Sequence, residues 1–300
     1  MSSVAGIELG GTRAAVTVGQ GPQAHAAPIA VATTSPDTTV VALGDALERL
    51  QREGRGFTRI GVASFGPLGV DRDRPDWGRI GATPKPGWSH ADVAGPLSRR
   101  FGVPVVIDTD VNAAAIGEGR WGAAVGCGSH VYVTVGTGIG MGVVVDGRPV
   151  HGALHPEAGH IRPRRLQGDG FAGRCPWHGD CLEGLVSGPA LADRLGGAAD
   201  DLEDAHPLFA LTGAYLGEVL AAVALTASPQ KIVIGGGVGR RPAVLAAARS
   251  AFSAAIAGYV PTMAPDGSDL LVGPGLGEHS GLFGALALAL DAEGVLQSFA

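Results

Sequence analysis

The chain has 300 residues, 45% of them hydrophobic and 17% charged, enough apolar material for one large core or two lobes. Its 50 glycines fall in discrete turns such as GG, GTG and GGG, which excludes a collagen-like repeat and a disordered composition. The net charge of −6, with no basic block and no interleaving of aromatic and basic residues, excludes the footprint of a nucleic-acid binder and favours a small-molecule partner.

The start, MSSVAGIELGG, has no basic segment followed by an apolar core and a cleavage site, and no uninterrupted apolar stretch of membrane length stands out. A cytoplasmic protein with no membrane partner is therefore expected. The odd count of 3 cysteines agrees with a reducing compartment and speaks against a disulfide framework.

Val4 to Val18 reads as a strand, a Gly10-Gly11-Thr12 turn and a second strand. Glycine has no Cβ to keep phosphate oxygens from backbone N–H groups, so this turn suits a phosphate as well as it suits a plain hairpin. Glu8 points into the same turn. A helix is predicted from Thr39 to Glu53, with Val41, Leu43, Ala46, Leu47 and Leu50 at helical spacing. The strand RIGVASF then ends in Gly66-Pro67. Asp71 to Asp92 is loop-like, with prolines around Lys85 and then Trp88; it lines a ligand cleft or is a surface connection. A helix over Asp92 to Phe101 feeds the strand VPVVID, which runs into IDTDVNAAAIGEG. Asp110 lies beyond the carboxyl end of that strand, where open α/β folds bind ligands, before a helix that starts near Asn112. Capping that helix is its alternative task.

The stretch SHVYVTVGTGIGMGVVVDGRPV repeats the opening plan of strand, glycine turn and strand. Two such hairpins suggest two lobes built alike, each presenting a phosphate-facing turn to a shared cleft. The segment that follows carries the densest chemistry. Cys175, His178 and Cys181 form CxxHxxC, and His160 lies upstream within reach of a fourth position. Two sulfur and two nitrogen donors are the make-up of a closed tetrahedral zinc site. Glu157 and Glu183 flank these donors, so folding around a metal would bring both acids near one pocket. The competing readings are reduced, unliganded side chains and a structural metal with no role for the acids. Beyond it, Gly188-Pro189 opens a helix. An Ala/Leu-rich helix from Ala214 to Ala227 precedes PQKIVIGGGVG, a buried strand running into a glycine turn fit for a nucleotide. Helices over Pro242 to Tyr259 and through SGLFGALALALDAEG close the chain.

In this order IELGGTR, SFGPLGV, TPKPGW, DTDVNAAAIGE, VGTGIGMG, HPEAGHI, GRCPWHGDCLEGLVSGPA, PQKIVIGGGVG and GLFGALALA resemble the ROK sugar kinases, and among them the bacterial fructokinases. The resemblance covers nearly the whole chain. It implies a two-lobed actin-like, ribonuclease H-like α/β fold with a zinc-binding loop, the lobes spanning 1–113 and 114–300 and the final helix packing back on the first. It makes Asp110 the general base and Glu157, His160 and Glu183 the holders of sugar hydroxyls. Gly66, Pro67, Thr83, Trp88 and Thr109 join them on the sugar side, and His160, Cys175, His178 and Cys181 become the zinc ligands. Gly10, Gly11, Thr12, Arg13, Thr137 and Gly138 would face the phosphates. Pro189, Gly235, Gly236, Gly237, Val238 and Gly239 would face the nucleoside. Glu8 stands where the wider fold carries an Asp and would reach magnesium through water. Thr109 replaces the family's usual Asn before the base, and Arg13 its frequent lysine.

The expected reaction is ATP plus fructose giving fructose 6-phosphate and ADP, with Asp110 taking the hydroxyl proton. Magnesium with ATP and a structural zinc are the cofactors, and a homodimer is implied. Mannose, glucose and N-acetylhexosamine are the rival acceptors. A sugar-responsive regulator would need a DNA-binding module, which neither the start of the chain nor its charge suggests.

Overall fold

The structure is a computed structural model that describes residues 2–197, 202–260 and 268–297, with side chains to residue 291. It divides into two compact units, 1–125 with 149–155 and 279–300, and 126–148 with 156–278.

The first unit opens with a hairpin of β1 (Val4–Leu9) and β2 (Arg13–Gly21), antiparallel with Leu9 opposite Ala14. The short β3 (Ala24–His25) and β4 (Ile29–Ala32) both pair with β2. Helix α1 (Pro36–Arg52) starts on Ser35 with proline in its first turn, where the missing N–H costs nothing, and buries Val40, Leu43, Leu47 and Leu50. It leads to β5 (Ile60–Ser64), parallel to β1. Helix α2 (Ala94–Phe101), ended by left-handed Gly102, leads to β6 (Val105–Thr109), parallel to β5. The main sheet order is therefore β3-β2-β1-β5-β6. Helix α3 (Asp110–Trp121) follows β6 directly. The C-terminal helix (Ser280–Gln297) lies on this sheet so closely that a Cβ on Gly61 would stand 1.8 Å from the carbonyl of Ala285. Only glycine fits on β5 there.

The second unit opens on the same plan. Strands β7 (His130–Val135) and β8 (Ile139–Val145) form a hairpin around Gly136-Thr137-Gly138. Outside β8 lies β9 (Arg148–Pro149). Helices α4 (Leu182–Val186) and α5 (Gly188–Leu195) follow the polar segment, and then α6 (Pro207–Ala227). Strand β10 (Lys231–Gly235) runs parallel to β7, and after α7 (Pro242–Ile256) β11 (Leu271–Val272) runs parallel to β10. Helix α6 begins well before the expected Ala214, because Pro207 is accepted in its first turn and His206 Nδ1 accepts from Leu208 N at 3.3 Å. By length and composition α6 alone among the described residues could cross a membrane. That departs from the expectation of no such stretch, and 61% of its apolar window is buried inside the protein. It is a core helix, with Tyr215, Leu216, Val219 and Leu220 packed against Val244, Ala248 and Phe252.

Candidate active site

In the first unit the cap of α3 decides what Asp110 is free to do. Thr109 is extended (φ −63°, ψ 152°), and its Oγ1 accepts from Asn112 N at 3.2 Å, so Thr109 is the N-cap. The helix starts at Asp110 rather than near Asn112, and the capping task is already filled. Asp110 Oδ1 accepts from Val111 N at 2.9 Å, while burial pushes its carboxyl up from 3.8 to about 6. Glu8, on β1, is pushed from 4.5 to about 7 by burial and by the charge of Asp110, against a hydrogen bond from the backbone of Leu282. Two neighbouring acids in a poorly solvated place resist double ionisation. Asp110 takes the charge first, and Glu8 holds its proton to near neutrality.

Beside this pair the sequence reading missed Asp108. Its carboxylate accepts from Thr109 N at 2.7 Å, from Asn112 Nδ2 at 2.8 Å and from His151 Nε2 at 2.9 Å. The hydrogen bond to Asp108 raises the His151 pKa, with burial opposing it. The DTD spacing was the available signal, since residues two apart along a strand share a face.

The expected sugar-side residues of this unit have mixed fates. The Gly66-Pro67 bond is cis, and the next amide, Leu68 N, donates to His155 Nε2 at 3.1 Å. Thr83 N donates to Ser89 Oγ at 3.2 Å, and Lys85 Nζ donates to the carbonyl of Gly11 in the first glycine turn. Gly10 N closes that turn on Arg13 O at 3.0 Å, with Thr12 and Arg13 exposed. Trp88 does not offer a ring to a ligand. It is fully buried, its indole N–H donates to Thr34 O at 2.8 Å, and its ring meets Phe65 edge-on at 5.1 Å. The aromatic expected on the sugar side is core, placed there by its own large apolar surface.

In the second unit the glycine turn, the acids and the Cys/His segment come together around Ile139. Ile139 N donates to Glu183 Oε2 at 2.9 Å, and a Cβ on Gly138 would stand 2.8 Å from that same oxygen. On the other side a Cβ on Gly159 would lie 1.8 Å from Ile139 O, so only glycine lets the short turn Ala158–His160 rest on β8. That turn carries Glu157 at its start and His160 at its end.

His160 Nδ1 lies 3.4 Å from Cys181 Sγ and 3.8 Å from Cys175 Sγ, and Cys175 Sγ lies 3.5 Å from His178 Nδ1. All four donor atoms fall within 4.8 Å of one another. A tetrahedral cation with bonds of about 2.0–2.3 Å needs donors spaced by about 3.3–3.8 Å, so the set fits a closed four-ligand metal site. Burial and the neighbouring Cys175 push the Cys181 thiol upward in the metal-free chain, so a cation must displace a proton. Cys181 also caps α4, its Sγ accepting from Gly184 N at 3.4 Å, which ties the cluster to the helix that bears Glu183. The loop between the donors is held by a network the sequence did not reveal. Asp169 accepts both guanidinium arms of Arg194 at 2.8 Å and the Tyr215 hydroxyl at 2.6 Å, and Arg194 holds its carboxyl far below the ordinary range.

Behind the turn is a cleft of about 540 Å³, lined by Gly136, Thr137, Pro189, Phe209, Val238 and Arg241 among others. Gly188 N donates to Gly136 O at 2.7 Å, and Val238 N and Gly239 N both donate to Val135 O. These bonds gather the glycines of three separate sequence stretches along one wall.

Residues 4–292 match the ROK family, nearly the whole chain. This chain belongs to the ROK family. It is 43% identical over 297 residues to a fructokinase of Zymomonas mobilis, covering 96% of each chain. It is 39% identical over 289 residues to a putative fructokinase of Bacillus subtilis, covering 96% of this chain and 95% of that one. Among solved structures it is similar to the ROK hexokinase of Thermus thermophilus, at 30% identity and TM-score 0.74, covering 97% of this chain and 99% of the other. A ROK glucokinase of Streptomyces griseus, solved with glucose and AMPPNP, is 28% identical with TM-score 0.76, covering 96% and 99% of the two chains. The fold is the actin-like α/β fold of the ROK sugar kinases, as the order of motifs led us to expect.

Proposed function

We propose that this ROK protein is an ATP-dependent hexose kinase that phosphorylates fructose at its 6-hydroxyl. The observation that carries the mechanism is Asp110. It stands at the first position of α3 with the capping task taken by Thr109, and burial raises its basicity to about 6 while leaving it ionised at neutral pH. A primary hydroxyl needs a base of that kind as its oxygen attacks phosphorus. The fructokinases of Zymomonas mobilis and Pediococcus pentosaceus and the putative fructokinase of Bacillus subtilis, at 37–43% identity over nearly the full chain, support fructose as the acceptor.

In this reading Glu157, His160 and Glu183 hold sugar hydroxyls. The amide of Ile139 orients the Glu183 carboxylate, and the donors around His160 Nδ1 fix its ring, leaving Nε2 to face a hydroxyl. Gly66, Pro67, Thr83 and Thr109 shape the sugar side. Backbone N–H groups of Gly10–Thr12 and of Thr137-Gly138 face the phosphates. The cleft with Pro189 and Gly235–Gly239 takes the nucleoside; Phe209 and Val238 give its lining apolar surface and Arg241 gives it a positive charge. Magnesium bound with ATP supplies charge neutralisation on the phosphates, and Glu8 would hold it through water. We assign zinc to the Cys/His cluster. Its four protein ligands leave no open position, so its contribution is geometric. A cytoplasmic homodimer belongs to the same proposal.

Coupled ADP release with magnesium-ATP and fructose, mannose, glucose and N-acetylmannosamine tests it. Fructose should be preferred. Preference for another hexose would move the specificity, and absence of turnover with every sugar in metal-loaded protein would overturn the kinase assignment.

A further inference from the structure

Lys85 is one of two lysines in the chain; arginine supplies the remaining basic side chains. It sits in the proline-bracketed loop after the cis Gly66-Pro67 bond, and its ammonium donates to the carbonyl of Gly11, 74 residues earlier. The rings of Phe65 and Trp88 lie 6.0 and 5.9 Å from Nζ, and Trp88 is itself locked by Thr34 and Phe65. The ammonium is therefore held at the glycine turn by rigid neighbours. Among the described residues no carboxylate pairs with it. A carbonyl takes only one of three N–H donors and neutralises no charge. The space above Gly11 is open: beyond its own chain neighbours, no atom lies within 4 Å of where a Cβ would stand. A fixed cation with two donors to spare, next to an uncovered glycine turn, is the equipment of an anion site.

We propose that Lys85 binds the terminal phosphoryl group of the nucleoside triphosphate at the Gly10–Thr12 turn and holds its charge through transfer. The inference rests on the kinase assignment for its reaction, but not for the ligand class, which is a polyphosphate. In the step, the sugar hydroxyl oxygen bonds to the terminal phosphorus and its proton goes to Asp110. The bond from that phosphorus to the bridging oxygen breaks, and the electron pair leaves with the diphosphate. Lys85 keeps all its protons and offsets the spread of negative charge over the equatorial oxygens. A lysine that only tethered the proline loop would have no such effect.

Two neutral variants separate these roles. Lys85→Gln can still donate to the Gly11 carbonyl, and Lys85→Met cannot. Both should lose about 10²–10³-fold in kcat with the fructose KM unchanged. Calorimetry gives a readout independent of turnover. Wild type should bind AMPPNP more tightly than AMP, and both variants should lose that gain while keeping AMP affinity and the wild-type melting temperature. Wild-type kcat in Lys85→Gln would overturn the proposal and leave Lys85 a tether, as would equal losses of AMP and AMPPNP binding. If Lys85→Met does not fold, Lys85→Gln decides the case on the same criteria. Should the wild type phosphorylate no hexose, a Lys85-dependent preference for AMPPNP over AMP would still stand, so the two failures are distinguishable.

Discussion

At Gly10–Thr12 and at Gly136–Gly138 the chain makes the same hairpin, flanked each time by a parallel strand, yet the two turns keep different company. The first faces ionisable side chains: Glu8 and Asp110, both driven toward their neutral forms by burial, and the ammonium of Lys85. The second faces one carboxylate tied to backbone, and a cleft: Glu183 on Ile139 N, Gly136 O on Gly188 N, and the wall running to Val238 and Arg241. In the proposed reaction the neighbours of the first turn move a proton and hold charge, and those of the second hold shape. Removing Asp110, the proposed proton acceptor, should therefore show the largest effect. Asp110→Asn should lower kcat by about 10²–10⁴-fold with sugar and nucleotide affinities kept. In the wild type kcat/KM should fall as pH drops through about 6, the value to which burial lifts Asp110. Near-normal turnover in the variant would make the first turn another binding element and erase the contrast.

Glu8 sharpens it from the side of stability. Its folded pKa of about 7 lies above the ordinary 4.5, so the fold favours its protonated form. The contribution is complete below 4.5 and is lost as pH rises through 7. Replacing it by glutamine removes that loss. Glu8→Gln should match the wild type near pH 4 and exceed its unfolding free energy by up to about 3 kcal/mol at pH 8 without metal. Urea denaturation at the two pH values checks the sign. A difference of equal size at both would mean that burial and the Asp110 charge do not raise the Glu8 carboxyl.

How much of this was legible beforehand follows from what each part depends on. The hairpins, the parallel strands and the Cys/His donors were readable because alternation, glycine turns and ligand spacing are local properties of the sequence. Asp108 with His151, Lys85 on Gly11, and Asp169 with Arg194 were not, since each joins residues 25–74 positions apart and only the fold sets their distance. Trp88 failed for a related reason. An aromatic in a proline-rich loop looks the same whether it lines a cleft or anchors the loop, and burial by Phe65 and Thr34 decides for the anchor. The starts of α3 and α6 moved because Thr109 and His206 cap them, a choice that depends on backbone angles rather than on apolar spacing.

At the Cys/His cluster near the second turn the effects should be smaller and confined to the sugar. Stripping a metal from the proposed site, or Cys175→Ser, should loosen the ring of His160 and the α4 cap that Cys181 provides. The fructose KM should rise by about 10–100-fold, with the KM for ATP unchanged and the melting temperature lowered. Metal content by mass spectrometry of the native protein accompanies the kinetics. Metal-free protein with normal fructose affinity would separate the cluster from the sugar and leave it a staple.

The finest test is a single methyl group. In Gly138→Ala the new Cβ meets Glu183 Oε2 at 2.8 Å, but Gly138 is not in the left-handed region, so no backbone strain accompanies the change. The carboxylate is the far end of a flexible side chain. It swings away and gives up its bond to Ile139 N, while α4 stays in place on its Cys181 cap. Stability should change by less than about 1 kcal/mol, and fructose KM should rise by about tenfold. Glu183→Gln should weaken fructose binding through the same contact, so the double variant should be no worse than the poorer single one. Additive losses would mean that turn and acid act apart. A rise in the KM for ATP instead would mean that the second turn serves the phosphates alone and that Glu183 is oriented by something other than Ile139.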